Sequence, residues 1–394
     1  MNKKAIAILG GIFILIAGTL GFLIYSKYSK KGATVPPKTD TANVSGPSPS
    51  PALPPPDPTP APPQAPSSTP ENLGGGKIFK LSEDKVISPA LFFDGSGITY
   101  FDKEGQLYQT TLQDSGSAPL QLARKRSLEI AVKTGINKIL WPPQGDSFIA
   151  EFGNSGRKLW SFYDSKTATY TDLPAQISAF DWTPDGQKIY YVWLENNKTN
   201  LSMSDPNSKN WKKISDIWAM PDEIKVSPDG LNILYYKTKT ASSTNPIYLT
   251  TPDGKIWQTL VKNGNNSGAV WSPDSQKFIF AKKDSNTEKF GLWYYNFFTG
   301  EVKDLKVFSI TSKVVWDKNS RVIYAAVPKS GIAGEDSLTS DNFMKIDTDS
   351  LEKIEYTSGS EKIDGQNLFL NTGLDKLFFL NAQDENLYYL DLSK

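Results

Sequence analysis

The stretch Val226-Ser227-Pro228-Asp229-Gly230, followed by the apolar run Ile233-Leu234-Tyr235-Tyr236, decides the fold because similar stretches recur along the chain. The clearest other copies are residues 181–186 with the run 188–191, and residues 271–275 with the run 277–280. A Pro-Asp turn between two short runs of β-branched and aromatic residues is typical of antiparallel strands joined by a tight turn. The repeat therefore predicts a fold built from similar β units.

Four weaker copies extend the repeat in both directions. The equivalent positions are residues 91, 141, 182, 226, 271, 316 and 370, which gives steps of 50, 41, 44, 45, 45 and 54 residues. Steps of this size suit one four-stranded propeller blade each. The sequence thus predicts an all-β, seven-bladed β-propeller, with six blades as the alternative if residues 91–122 are irregular. The recurring tryptophans at 141, 182, 271 and 316 are expected in the core between blades.

A second signature follows the first by about 25 residues and predicts the third strand of each blade. It pairs an aliphatic residue with Tyr or Trp, at residues 107–108, 159–160, 247–248, 292–293 and 387–388. Only three residues follow Asp391, so the last blade lacks a fourth strand. Residues 77–81 have the pattern of that missing strand. We expect them to pair beside the C-terminal strand and close the ring.

The Trp-Ser-Pro-Asp-Gly type turns, joined to the Leu-Tyr or Leu-Trp third strands, resemble the repeats of TolB-like β-propellers. This is a WD-like group that also includes the propeller domains of prolyl oligopeptidase relatives. The resemblance covers residues 77–394 and implies a propeller for that region. TolB itself has an additional α/β domain and a cleaved signal peptide, and neither is apparent here. The resemblance therefore does not imply the partners of TolB.

The N-terminal region, residues 1–31, predicts a membrane anchor. Residues 5–26 contain no charged residue, and 22 residues at about 1.5 Å rise span a hydrocarbon core of about 30 Å. A cleaved signal peptide is the competing interpretation, but the segment ends in Phe22-Leu23-Ile24-Tyr25 rather than in small residues. The chain has no cysteine, which excludes anchoring through a lipidated Cys.

Residues 32–76 predict a disordered linker between the anchor and the propeller domain of residues 77–394. Residues 35–70 hold 14 of the 27 prolines, mixed with Ser, Thr and Ala, as in extended stalks. Lysines on both sides of the apolar segment leave its orientation undecided by charge. Because stalks usually hold a domain away from a surface, we expect the propeller outside the cytoplasmic membrane.

The composition excludes several kinds of chemistry. The chain has no histidine and no cysteine, so it has no Ser-His-Asp or Cys-His arrangement and no ordinary zinc, haem or iron–sulfur site. No catalytic, cofactor or metal residue is therefore assigned, and the aspartates of the repeated turns are interpreted as turn caps rather than calcium ligands. A net charge of +1 with four arginines argues against nucleic-acid binding. Glycan chemistry by paired carboxylates stays open.

Several features converge on the propeller face that carries the connections between blades. They are a basic cluster in the connection into blade 2, a Trp-Met pair before blade 4, equivalent charged positions on three innermost strands, and an enlarged loop at 328–342. The candidate binding residues are Arg124, Lys125, Arg126, Lys138, Trp218, Met220, Glu223 and Lys313.

The sequence favours a membrane-tethered, extracytoplasmic propeller that binds an envelope protein or glycan without catalysis. A carbohydrate-active propeller, a glycosidase or lyase using channel-facing carboxylates, is the main alternative. An adaptor that faces the cytoplasm is the third.

Overall fold

The computed structural model describes residues 78–393 except for 93, 114–118, 129, 131–132, 154–157, 218–219, 239–244, 263–264, 285, 288, 331–337 and 360. These residues form seven four-stranded antiparallel sheets arranged as propeller blades. The predicted seven-bladed, all-β fold is confirmed. Residues 87–128 form a complete blade, so the six-bladed alternative is wrong.

The strands follow one another from the innermost strand of each blade, A, to the outermost, D. The first three blades contain β2 (Ile87–Leu91), β3 (Gly97–Phe101), β4 (Leu107–Gln113) and β5 (Gln121–Leu128); β6 (Ile136–Leu140), β7 (Phe148–Phe152), β8 (Leu159–Asp164) and β9 (Thr169–Asp172); and β10 (Ile177–Trp182), β11 (Ile189–Glu195), β12 (Lys198–Ser204) and β13 (Lys212–Ile217).

The next three blades contain β14 (Glu223–Val226), β15 (Ile233–Tyr236), β16 (Ile247–Thr250) and β17 (Trp257–Val261); β18 (Asn265–Trp271), β19 (Lys277–Lys283), β20 (Phe290–Asn296) and β21 (Val302–Phe308); and a 3-10 turn (Thr311–Lys313) before β22 (Val314–Trp316), β23 (Val322–Pro328), β24 (Asp341–Asp347) and β25 (Lys353–Tyr356). Blade 7 contains β26 (Gly365–Leu370), β27 (Lys376–Asn381), β28 (Asn386–Asp391) and the N-terminal strand β1 (Ile78–Lys80).

The Pro-Asp turns between A and B strands are stabilised by their own side chains. In blade 4, Asp229 Oδ1 accepts hydrogen bonds from the Ser227 hydroxyl at 2.5 Å and from the Leu231 N–H at 3.0 Å. The Ser227 hydroxyl in turn accepts the Asn232 N–H at 3.0 Å. Gly230 has φ +73°, which suits glycine. The repeated aspartates therefore cap backbone amides within their turns.

Seven apolar clusters hold the ring together, one between each pair of neighbouring blades. Four tryptophans near the ends of A strands add a hydrogen bond to the preceding blade. Their indole N–H groups donate to backbone carbonyls: Trp141 to Ser88 at 2.8 Å, Trp182 to Leu140 at 3.2 Å, Trp271 to Lys225 at 3.0 Å, and Trp316 to Val270 at 3.1 Å. Each large ring thus fills the wedge between blades while its polar atom is satisfied.

The N-terminal strand closes the ring as predicted. Ile78 pairs with Leu390, and Phe79 pairs with Tyr389, whose ring stacks on that of Phe79 at 5.0 Å between centroids. Ile78 is buried. Because β1 completes the last blade, the edge of β28 is paired rather than exposed.

The two faces of the ring differ in their loops. One face carries the D-to-A connections between blades and the B-to-C loops, and it is called the connection face below. The opposite face carries the Pro-Asp turns and is called the turn face. The predicted anchor at 5–26 and the linker at 32–76 lie outside the described residues. Among residues 78–393, no helix is long and apolar enough to cross a membrane.

Candidate binding site at the channel mouth

Two predicted residues, Lys138 and Glu223, lie on innermost strands and reach the central channel. Lys138 is on β6 of blade 2, and Glu223 begins β14 of blade 4. Glu223 Oε2 lies 3.5 Å from Lys225 Nζ, and its Oε1 lies 3.8 Å from Lys158 Nζ. Lys138 is exposed and, among the described residues, contacts no carboxylate within 4.0 Å. These residues, with Glu151 of β7, are called the channel cluster below.

Burial and mutual charge shift the ionisation of the channel cluster. Lys138 is exposed, but the protein atoms around it remove part of its hydration, and this desolvation, together with the charge of Lys225, lowers the pKa of Lys138. Desolvation disfavours ionised Glu223, but the ammonium groups of Lys225, Lys138 and Lys158 outweigh it and lower the pKa of Glu223. Burial raises the pKa of Glu151, although Lys158 and Lys138 oppose the shift. The pKa of Glu151 is therefore raised and that of Glu223 lowered, although both carboxyl groups belong to one cluster.

Behind this cluster, polar side chains join neighbouring innermost strands. Asp181 Oδ2 of β10 accepts the Val226 N–H of β14 at 2.8 Å. Tyr236 Oη accepts the Ala269 N–H of β18 at 3.0 Å. Burial raises the pKa of the Asp181 carboxyl, with the charge of Lys225 opposing it. These bonds fix the strands that carry Glu223 and Lys225.

A cavity of about 590 Å³ lies beside Lys138, between the innermost strands of blades 7, 1 and 2. Its wall is rich in side-chain amides, which offer donors and acceptors together. An ion pair between Lys103 and Glu385, 2.5 Å apart, borders it. The lining amides are Asn137, Gln366, Asn367 and Asn381. Lys138 thus belongs to both the charged cluster and the amide-lined cavity.

Lys313 was expected to line the channel mouth, but it is buried inside the protein. It is 1% exposed, and its Nζ donates to Thr339 Oγ1 at 2.8 Å, Asp341 Oδ2 at 2.6 Å and Asp364 Oδ1 at 2.5 Å. Thr339 lies in the B-to-C loop of blade 6, Asp341 begins β24, and Asp364 comes just before β26. Lys313 is therefore a buried ion-pair residue and offers no group to a partner. Burial also raises the pKa of Asp341, with Lys313 opposing.

The basic cluster 124–126 was predicted in a connection, but it lies within β5, the outermost strand of blade 1. Arg126 is exposed and pairs in register with Gln109. Lys125 Nζ forms an ion pair with Asp84 and lies 4.0 Å from the centroid of the Tyr108 ring. Of Arg124, only the backbone position in the strand is described. The cluster is therefore on the rim of the ring, away from Lys138 and Glu223.

The remaining predicted features of the connection face are the Trp-Met pair before blade 4 and the enlarged loop of blade 6, and only part of each belongs to the described residues. Met220 precedes β14 and is 44% exposed. Trp218 lies outside the described residues, as does most of the enlarged loop after β23. Within that loop, Leu338 is exposed, and the Thr339 hydroxyl accepts a hydrogen bond from buried Lys313.

Sequence reasoning missed Glu151, Lys158 and Lys225 as members of the channel cluster. The signal for Lys225 was the two-residue spacing from Glu223, which puts both side chains on one side of a strand. Glu151 pairs in register with Lys138, and that pairing is visible only once the blades are assigned. Among the described residues, no group of three or more acidic side chains has the arrangement of a metal site.

No protein-family model matches this sequence, and a search of curated proteins found no relative. Among solved structures, the chain is similar to an oligogalacturonate lyase in complex with manganese, with a TM-score of 0.59 and 11% identity, over 84% of this chain and 98% of the lyase. It is also similar to the propeller domain of Cps50 (Swd1) from Myceliophteria thermophila, with a TM-score of 0.53 and 8% identity, over 80% of this chain and 100% of that domain.

A TolB protein from Agrobacterium tumefaciens is 18% identical over 59% of this chain and 88% of its own, with a TM-score of 0.43. Identities this low establish the fold and nothing about activity. The fold that the resemblance implies, a seven-bladed β-propeller, is confirmed.

Proposed function

We propose that this chain is a membrane-tethered, extracytoplasmic propeller that binds an envelope protein or glycan at its connection face without catalysis. The observation that carries the proposal is Lys138, an exposed ammonium group with no carboxylate within 4.0 Å among the described residues. It stands between an ion-pair cluster and an amide-lined cavity. A concave site with a few placed polar groups is the usual form of a binding site.

The proposed location rests on the sequence. An uncharged segment at residues 5–26 has the length of a membrane span, and the proline-rich residues 35–70 follow it. A tethered propeller would meet partners that are also confined to the envelope, which raises their effective concentration. The absence of histidine and cysteine from the whole sequence favours binding over the commonest hydrolytic chemistries.

The test is capture of envelope components by the full-length protein, purified in detergent and immobilised. The channel variant Lys138→Ala/Glu223→Gln is compared with the parent and with Lys318→Ala, an exposed lysine on the turn face. We expect one component to be retained by the parent and by Lys318→Ala and lost by the folded channel variant. Equal retention by all three proteins would contradict a site at the channel mouth.

A second candidate function is glycan cleavage in the channel. The observation that favours it is the opposite pKa shifts of Glu151 and Glu223, since a pair of this kind can supply an acid and a base. The structural likeness to an oligogalacturonate lyase is consistent with this candidate but establishes only the fold.

Incubation with oligogalacturonate and with peptidoglycan fragments, followed by mass spectrometry of products, tests the second candidate. Catalysis would require ionised Glu223 and protonated Glu151. The rate should therefore rise as Glu223 ionises and fall as Glu151 ionises, and both Glu151→Gln and Glu223→Gln should abolish it. Products that persist in Glu223→Gln would contradict this assignment.

A further inference from the structure

Blade 3 has an aromatic residue on its B strand whose partner on the C strand is small. Blades 2 and 6 have no aromatic residue at either position, with Ala150 opposite Ser161 and Ala325 opposite Met344. In four other blades, an aromatic residue of the B strand pairs with an aromatic residue of the C strand. These pairs are Tyr100 with Tyr108, Tyr235 with Tyr248, Phe280 with Trp293, and Phe379 with Tyr388. In blade 3, Tyr191 instead pairs with Ser202.

The small serine leaves room on the sheet face that looks toward blade 2. A groove of about 750 Å³ runs over this face. Its inner wall is formed by Tyr191 and Trp193, two residues apart on β11 and therefore on one side of the strand. Both rings pack against the apolar cluster between blades 2 and 3. The groove therefore has a fixed aromatic wall.

A third aromatic residue, Trp211, closes the outer end of the groove next to β13. Its side chain is 69% exposed. The loop before it is held by Asp205, whose carboxylate accepts hydrogen bonds from Lys188 at 2.9 Å and from Asn210 at 2.7 Å. Because the loop is held in place, less backbone freedom is lost when the exposed indole binds a ligand.

Polar side chains stand between the aromatic rings. Asn200 pairs in register with Trp193, and its Oδ1 accepts the Ser202 hydroxyl at 2.7 Å, which leaves its NH₂ group to donate elsewhere. Lys213 and Asp216 on the outermost strand form an exposed ion pair of 2.6 Å. At the other end of the groove, Glu195 of β11 lies opposite Lys198 of β12 in the strand register. The formal charges of the groove thus cancel.

We propose that this groove binds a neutral stretch of a glycan chain. A pyranose ring has an apolar face of C–H groups, which suits Trp193 and Trp211, and a rim of hydroxyls that both donate and accept. Amide, carboxylate and ammonium side chains match that rim. The balanced charge favours an uncharged ligand over an anion or a cation. The groove lies on the side of blade 3 and shares no residue with the channel cluster. Sugar binding in the groove therefore does not depend on binding at the proposed channel site.

The test is a tryptophan-fluorescence titration of the full-length protein in a detergent without a sugar headgroup. The probes are β-1,4-linked tetramers of glucose and of N-acetylglucosamine, together with a wider array of neutral oligosaccharides. We expect saturable binding that Trp211→Ala weakens by about tenfold or more. The matched control is Trp257→Ala, because Trp257 begins the D strand of blade 4, is 58% exposed and lies outside the groove.

A gap-filling variant, Ser202→Tyr, restores the aromatic residue that the repeat has elsewhere. It should abolish sugar binding while the protein unfolds at the same urea concentration as the parent or higher. Lys318→Ala, on the turn face and outside both proposed sites, should bind the tetramers as the parent does. The proposal is overturned if no neutral oligosaccharide binds, if Trp257→Ala weakens binding as much as Trp211→Ala, or if only a proline-rich peptide binds the groove.

Discussion

The A-to-B turns of blades 3 to 6 each place one residue in the left-handed region of backbone conformation, and the chain supplies that residue in two ways. Gly186 and Gly230 occupy this position with φ +67° and +73°, whereas Ser275 and Ser320 occupy it with φ +62° and +59°. Each serine hydroxyl accepts a backbone N–H from the preceding blade, from Asp229 and Asp274 respectively, at 2.9 Å. The hydroxyl thus offsets the backbone cost of a non-glycine residue by joining two blades.

This arrangement predicts different outcomes for two substitutions of Ser275. Ser275→Ala keeps the strained backbone and removes the acceptor, so it should lower the free energy of unfolding by about 1–3 kcal/mol. Ser275→Gly loses the same acceptor but relieves the backbone strain, so it should cost less. Urea unfolding of both variants measures the difference. Equal stability of Ser275→Ala and the parent would show that the hydroxyl contributes nothing.

Lys313 predicts a stability effect that depends on pH. Lys313→Met removes the buried cation and leaves the Asp341 and Asp364 carboxylates beside each other, which should cost about 3–5 kcal/mol at neutral pH. Lys318→Met, at an exposed turn position, is the control and should have little effect.

The sign of the pH effect follows from Asp341. Burial already raises its pKa, and removing Lys313 removes the charge that opposes the shift. A folded-state pKa above the unfolded value means that the folded protein binds more protons, so stability falls as pH rises through that range. The deficit of Lys313→Met should therefore be larger at pH 8 than at pH 5. A deficit that grows on acidification would contradict this account.

Sequence reasoning at this scale succeeded where a local rule applied and failed where partners came from distant parts of the chain. The aspartate caps were predictable because the residues that they bond lie within five positions of each other. The burial of Lys313 was not, since Asp341 and Asp364 lie 28 and 51 residues away. Lys313 and Lys138 occupy equivalent positions in their blades. Nothing in the sequence indicates that Lys313 is buried and Lys138 is exposed.

At the scale of the strands, ring closure depends on β1, only three residues long. Ile78 lies in the apolar cluster between blades 6 and 7. Phe79 lies in the cluster between blades 7 and 1. Their side chains therefore join the last blade to both of its neighbours.

The double variant Ile78→Ala/Phe79→Ala should lower the free energy of unfolding by about 4 kcal/mol or more, because two large buried side chains are lost. A weakened β1 should also expose the edge of β28 and promote self-association. Urea unfolding and size-exclusion chromatography measure the two effects. Lys80→Ala on the same strand is the control, and an unchanged unfolding midpoint in the double variant would argue against closure by β1.

The strands also explain one wrong expectation about a site and one site that the sequence analysis missed. Arg124, Lys125 and Arg126 were expected in the connection into blade 2, but β5 continues through them to Leu128. The groove of blade 3 did leave a signal, namely Leu201-Ser202 where five other blades have an aliphatic–aromatic pair. A missing aromatic residue in a regular repeat indicates a gap in the core, and such a gap can hold a ligand.

For the whole molecule, the repeat spacing was sufficient to predict the architecture. Each blade contacts its neighbours through the same kinds of interaction, so a local pattern repeated seven times specifies the ring. The channel site was predictable only at Lys138 and Glu223. Its other members, Glu151, Lys158 and Lys225, come together through the curvature of the ring across blades 2 to 4, which sequence spacing alone does not describe.

We propose that this propeller is tethered to the membrane and acts outside the cytoplasm. Because the chain has no cysteine, single cysteines report location directly. Lys318→Cys places a thiol at an exposed position, and Ala325→Cys places one at a buried position as the control. Intact cells producing each full-length variant are treated with a charged maleimide that does not cross the cytoplasmic membrane. We predict labelling of membrane-bound Lys318→Cys in intact cells and none of Ala325→Cys; labelling of Lys318→Cys only after the cells are lysed would contradict the account.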